Sequence, residues 1–431
     1  MKTVLFGDKA FDLAYKRLLN RLDLGKSEVN RVTQKILEDV RKEGDRALFR
    51  YTKQFDRIRL TPETIRISKE EIAHAYENAD GSILSSLQYA RDRILEFHKK
   101  QKSKNWMIKK EGIYLAERVH PLDAVGVYVP GGTASYPSSV LMNVIPAQIA
   151  GCKQIRICTP TPAGRVNPYL LIAADLVNVT EIYRVGGAQA IGALAFGTET
   201  VDKVDKIVGP GNQYVAAAKR LVYGTVDIDM VAGPSELLII ADHDANPVYL
   251  AADLLSQAEH DKEAVVILLT PSLSLWKKVA VEMKRQQAAL TRREIIATSL
   301  QRRGVTFITQ DIQQAIEMAN AIAPEHLSLF VKEPSRFLDQ IIHAGSVFLG
   351  EDTPQSLGDY IAGPNHVLPT GGTARFFSPL SVTDFTKTSH VVSYSRKALQ
   401  KCGDHLIRLA EVEGLTAHAN MVKIRRDRLG E

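Results

Sequence analysis

Cysteine is scarce in this chain of 431 residues: only Cys152, Cys158 and Cys402 occur. An odd number with no metal-type spacing excludes a disulfide framework and a cysteine-built zinc finger, and it fits a reducing compartment. No run approaches the roughly 18 uninterrupted apolar residues of a membrane span. The opening stretch, MKTVLFGDKAFDLAYKRLL, has too short an apolar run for a secretory signal and carries acids that a transit peptide avoids. Clustered positive charge is also missing. Lys and Arg exceed Asp and Glu by only 6, and the basic residues are scattered through the N-terminal region and the short tail KIRRDRLGE. A nucleic-acid surface would concentrate them and interleave aromatics. These absences lead to the expectation of a cytoplasmic protein with no membrane and no nucleic-acid partner.

What is present is a chain long enough for more than one core, with 45% hydrophobic and 24% charged residues. Residues 1–110 repeat helical patterns such as SEVNRVTQKILEDVRKEG and SILSSLQYARDRILEFHKKQK, with apolar positions three and four apart. From about residue 123 the texture changes. Short β-rich runs (AVGVYV, QIRIC, EIYRV, DKIVG) alternate with apolar helical segments, and a second series follows (ELLIIAD, AVVILLT, VTFIT, HLSLFV, SVFLG). Strands that read as continuous apolar runs between helices belong to parallel sheets covered on both faces. The segments expected are therefore a helical region at 1–110, α/β domains at 111–233 and 234–380, and a small helical domain at 381–431. A Gly- and Pro-rich stretch between Gly350 and Asp384 shows no period, and loops of that length are usually functional.

Two glycine-bearing turns, RVGGAQAIGALAFG and IVGPGNQYVAAAKR, each follow a predicted strand and open a predicted helix. Glycines there let backbone amides approach a phosphate at a helix N-terminus, but they also serve ordinary tight turns. The standard dinucleotide fingerprint is absent, because the spacing is wrong and Asp205 precedes its strand. In LLSQAEHDKEA, Gln257 and His260 lie three apart at a helix end and can point the same way. That arrangement suits either a metal site or a solvated helix terminus. Asp359 in the long loop, the adjacent Glu325 and His326, and Glu413 with His418 are the other unusual polar groups. An amide oxygen, a carboxylate and two imidazoles would suit zinc, with manganese or cobalt acceptable. Cys152 follows a predicted helix instead of opening one, so no dipole activates it, and it reads as structural. His120, His343, His390 and His405 stand in no comparable cluster.

Taken together, PGGTASYPSSVLMNVIPAQIAGC, GGAQAIGALAFG, GPGN, IDMVAGPSE, LLSQAEHD, PEHLSL, GDYIAGPNHVLPTGG and EGLTAH closely resemble the histidinol dehydrogenase family, over about residues 25 to 425. The resemblance implies an α/β fold with two Rossmann-like parallel-sheet domains of aldehyde-dehydrogenase type, plus helical N-terminal and small C-terminal segments. It implies one zinc ion per subunit held by Gln257, His260, Asp359 and His418. NAD is implied near Tyr128, Gln189 and Asn212. Substrate is implied near Ser235, His366 and Glu413, beside the metal ligands and His326, with Glu325 and His326 as acid and base. It further implies a homodimer whose C-terminal segment crosses to complete the partner's site. The implied reaction takes an amino alcohol through an aldehyde to a carboxylate, using two NAD and one water, in the last step of histidine biosynthesis. Gln355 departs from the pattern, where Glu is expected. Glu259 and Asp261 are expected to serve solvent or helix packing. The rival readings are a zinc hydrolase using Glu325-activated water and a noncatalytic small-molecule binder.

Overall fold

The computed structural model describes residues 1–21, 27–131 and 136–427. Gly132 to Ser135, part of the PGGTASYPSS motif, lie outside the described residues, as does the end of the basic tail. The strands in chain order are β1 (Lys2–Leu5), β2 (Trp106–Lys110), β3 (Ile113–Pro121), β4 (Ala124–Tyr128) and β5 (Gln154–Cys158). They continue with β6 (Glu181–Tyr183), β7 (Lys206–Val208), β8 (Asp227–Ile228), β9 (Glu236–Ala241) and β10 (Val265–Thr270). The last four are β11 (Gly304–Ile308), β12 (His326–Phe330), β13 (Ser346–Leu349) and β14 (Thr386–Tyr394).

The chain forms two compact units: Met1–Gln101 with Leu122–Phe385, and Lys102–Pro121 with Thr386–Glu431. The first unit holds two all-parallel sheets, in the orders β6-β5-β4-β7-β8 and β1-β11-β10-β9-β12-β13. All nine apolar runs expected as strands are strands. β4, β9, β10 and β12 are buried at every position, which is why their sequences do not alternate. Truncating one of these leucines or isoleucines to alanine costs about 2–5 kcal/mol.

The N-terminal helices are layers of this unit. Helix Pro137–Ala150 is buried on all sides from Ser138 to Ala147, and a helix apolar all round requires cover on its outer face. Ile72, Ala90 and Ile94 belong to the core that holds Val140, Leu141 and Val144. Ile36, Leu37, Val40 and Leu48 share another core with Ile191 and Leu194 of helix Gly187–Phe196. Residues 1–110 are not wholly helical either. β1 pairs with β11 at the edge of the second sheet, and four residues are too few to carry a period.

The second unit is an antiparallel sheet, β14-β3-β2, with helices Arg396–Val412 and Thr416–Asp427 packed on Ile407, Ala410, Ala419 and Val422. Residues 381–431, expected as helical, thus include a nine-residue strand. The two-residue turn joining β2 to β3 places Glu111 at φ 49° and Gly112 at φ 80°, the left-handed pair that suits a tight hairpin.

Candidate active site

In the first sheet the strand order reverses at β4 and β7, and ligands of such sheets bind beyond the strand C-termini at that switch. Tyr128 ends β4, and its hydroxyl accepts a hydrogen bond from Gly187 N at 3.1 Å. Burial raises the Tyr128 phenol pKa, so the group stays neutral. Gln189 lies in the first turn of helix Gly187–Phe196, 1% exposed, with neither amide atom hydrogen-bonded. Asn212 caps helix Gln213–Val222 through its Oδ1, which accepts from Tyr214 N and Val215 N at 2.9 and 3.1 Å. Its amide NH2 is left for other use. The three residues expected around NAD therefore stand at one edge of one sheet, two of them at helix N-termini.

Gly209, between β7 and Asn212, has φ +107°, and a Cβ there would lie 2.1 Å from Tyr128 O. Only glycine fits. Its N–H donates to Asp229 Oδ2 at 2.8 Å and its carbonyl accepts from Lys219 Nζ at 3.0 Å. Lys219 and Asp229 are themselves a buried ion pair. Neither was singled out in the sequence.

The second cluster lies at the opposite end of the second sheet, where β9 and β12 begin. The crossover geometry explains why. β9 and helix Pro247–Glu259 are each about 20 Å long, so the helix returns Gln257 and His260 to the edge where the strand started. Asn246 caps the start of that helix, its Oδ1 accepting from Val248 N at 2.9 Å, and Pro247 follows at the first helical position.

At this edge Glu325 and His326 are 5% and 4% exposed. Glu325 Oε2 accepts from the backbone N–H of Glu236 at 2.6 Å. His326 Nδ1 lies 2.9 Å from the Glu236 carbonyl. A carbonyl only accepts, so Nδ1 carries the hydrogen and the neutral ring keeps its lone pair on Nε2. Nε2 faces Asp359 Oδ1 at 3.7 Å. Burial pushes Glu325 well above the usual carboxyl range, and the charges of Glu236 and Asp359 add to this against the opposing backbone hydrogen bond. Burial lowers His326, with the Asp359 charge opposing it. A neutral imidazole beside a carboxyl raised above the usual carboxylate range can exchange protons with a substrate in either direction.

Asp359 sits in the short helix Ser356–Tyr360, within the long Gly- and Pro-rich segment. His366 Nδ1 donates to the Asp359 backbone carbonyl at 2.8 Å, leaving Nε2 to accept from the Ser139 hydroxyl at 3.2 Å. His260 acts electrostatically on both His326 and His366. Gln257 is fully buried, and neither its Oε1 nor its Nε2 has a partner. A buried amide with both atoms unsatisfied is costly, and it fits a ligand the protein does not itself supply. Ser235 immediately precedes β9, its carbonyl accepting from Val265 N. Asp261 closes the turn after the helix by accepting from Glu263 N at 2.9 Å, a structural role as expected. Glu413 and His418 lie in the second unit, at the end of helix Arg396–Val412 and in the first turn of Thr416–Asp427.

Among the described residues, one trio of His, Cys or carboxylate groups has ligand atoms all within 4.8 Å: Asp242, His243 and Asp244. These are consecutive residues on a turn at the far end of β9. The Asp242 oxygens there already accept from Lys332 N and Asp244 N. Cys152 is buried against Phe385 O, and its thiol is pushed up to about 11 by burial. It is no thiolate nucleophile.

Two doubly covered parallel sheets, one with a nucleotide-type switch point and the other with a buried carboxyl and imidazole held by the backbone of one residue, define an α/β enzyme of acid–base chemistry. The family model described as histidinol dehydrogenase matches residues 19–426, and the chain belongs to that family of oxidoreductases of histidine biosynthesis. It is 55% identical over 411 residues to histidinol dehydrogenase of Caldanaerobacter subterraneus subsp. tengcongensis, covering 95% of this chain and 96% of that one. Its identity to the Bacillus thuringiensis subsp. konkukian enzyme is 52% over 411 residues, 95% of each chain. The crystal structure of histidinol dehydrogenase from Elizabethkingia anophelis superposes with a TM-score of 0.94 at 40% identity, covering 100% of this chain and 99% of that one.

Proposed function

We propose that the chain oxidises L-histidinol to L-histidine through histidinaldehyde, a four-electron reaction with NAD as acceptor and one zinc ion per subunit. The observation that carries this reading is the buried Glu325–His326 pair beside Asp359. In each half-reaction a proton must leave an oxygen as hydride leaves the carbon it is bonded to. His326 Nε2, with its lone pair exposed by the Glu236 carbonyl on the other nitrogen, takes that proton first from the alcohol and then from the aldehyde hydrate. Between the two oxidations, Glu325 takes a proton from the water that adds to the aldehyde carbon.

Bound NAD supplies a hydride acceptor, and Tyr128, Gln189 and Asn212 would hold it. Gln257, His260, Asp359 and His418 would hold zinc, which supplies a template for the substrate's amino and imidazole nitrogens. The orphaned amide of Gln257 supports that assignment. Ser235, His366 and Glu413 would orient the substrate.

His418 reaches the site from the partner subunit in this reading. Support comes from apolar side chains in the second unit that no neighbour covers: Met107 is 65% exposed, Leu409 67% and Val412 87%. An apolar surface of this kind marks an association face, and a homodimer buries it. Three free cysteines support a cytoplasmic location, and no described helix is long and apolar enough to cross a membrane.

Histidinol and NAD mixed with the protein should produce the absorbance of the reduced cofactor, and a chelator should abolish it. A zinc hydrolase or a noncatalytic binder would produce none.

A further inference from the structure

Arg21, at the end of helix Lys9–Leu19, reaches a residue 215 positions away: its Nε and Nη2 grip the two carboxylate oxygens of Glu236 at 2.5 and 2.7 Å. Both side chains are nearly inaccessible, at 4% and 2%. The guanidinium is fixed in turn by the carbonyls of Leu18 and Ile322, each at 3.0 Å. Glu236 is the residue whose N–H holds Glu325 and whose carbonyl holds His326. It opens β9, so its backbone lies at the edge of the sheet where the site is built.

A buried ion pair repays its desolvation poorly, and an apolar pair of the same volume is often as stable. Stability alone gives little reason for this pair. Position does. A forked, two-bond clamp fixes the orientation of the Glu236 side chain in a way that a point charge or an apolar contact cannot.

We infer that the Arg21–Glu236 pair is a positioning device that sets the Glu236 backbone, and through it the Glu325 carboxyl and the His326 tautomer. The inference rests on Glu325 and His326 being the acid–base residues. Neither Arg21 nor Glu236 touches substrate in this reading. They act through the dyad, on turnover and not on substrate affinity.

The test compares the full-length parent with Arg21→Lys and with the double variant Arg21→Met/Glu236→Leu, by thermal melting and by kcat and KM for histidinol and NAD. Lysine keeps the charge but loses the fork, and the double variant removes both charges without leaving one buried alone. Displacing a catalytic pair by a fraction of an ångström should lower kcat roughly tenfold to a hundredfold while both KM values hold within about twofold. A folded variant of either kind with parental kcat overturns the inference. If the double variant does not fold, Arg21→Lys decides alone. Should Arg21→Lys also fail to fold, the pair is structural and the inference falls. Glu325→Gln and His326→Ala run alongside: if they keep activity, the acid–base assignment has failed. If they lose it while a clamp variant keeps it, only the positioning role has failed.

Discussion

Gln355 donates its side-chain amide to Asp359 Oδ2 at 3.2 Å, while its own Oε1 is buried with no hydrogen-bond partner. Glutamate, the residue the family pattern led us to expect, would set a second carboxylate against Asp359 instead of a donor. The amide therefore orients Asp359 and keeps one negative charge out of the site.

The metal predictions follow from that contact. His260→Ala and Asp359→Asn should each lose zinc and activity together while remaining folded, as metal analysis beside an activity assay would show. Gln355→Glu should behave oppositely toward the ion. With zinc removed, the like charges should destabilise the fold by at least about 1–3 kcal/mol, and with zinc present the chelator concentration needed to strip it should rise. Full zinc content in His260→Ala and Asp359→Asn would remove those residues from the ligand set.

Glu325 and His326 should separate the two half-reactions. Glu325→Gln is expected to slow oxidation of histidinaldehyde by roughly a hundredfold or more while sparing the first hydride transfer, because only the second needs an activated water. His326 substitutions should harm both. Single-turnover measurements begun from the alcohol and from the aldehyde distinguish these outcomes, and equal losses for Glu325→Gln would end the division of labour.

Complementation tests the shared site. His260→Ala and His418→Ala homodimers should both be inactive. In a mixed dimer one chain supplies His260 and the other His418, so one of the two sites is whole. The doubly tagged species, purified after co-expression, should recover about half the normal specific activity. An inactive mixed dimer would place His418 in its own chain's site.

Asp253, one helical turn before Gln257, is pushed up to about 6 by burial, and its Oδ2 has no partner. The unfolded chain gives up this proton near pH 4, well before the native state does. The native state thus binds more protons between about pH 4 and 6, and stability falls as pH rises through that window. Asp253→Asn should raise stability by on the order of 1–2 kcal/mol at pH 7 and by almost nothing near pH 4. Melting temperatures across that range would show it, and a variant less stable at pH 7 would mean that the carboxylate has a partner after all.

Local composition was enough to mark the strands of both parallel sheets. Runs such as ELLIIA and VVILLT are buried on both faces, and a doubly covered strand must be apolar throughout. The helix end at Gln257 and His260, the Glu325–His326 pair and the glycine turns were visible because spacing within one element is a local property. The roles of those residues came from likeness to a family, since no spacing links residue 260 to 359 or 418. Pairing order was decided only in three dimensions. β1 joins β11 across some 300 residues, and β3, expected within the first α/β domain, pairs with β14, expected within a helical one. The same holds for Arg21 and Glu236. An acid opening an otherwise apolar strand was there to be read, but its partner lay 215 residues away. A chain's period reveals which face an element buries, whereas the contact across that face depends on which elements the folded layers bring together.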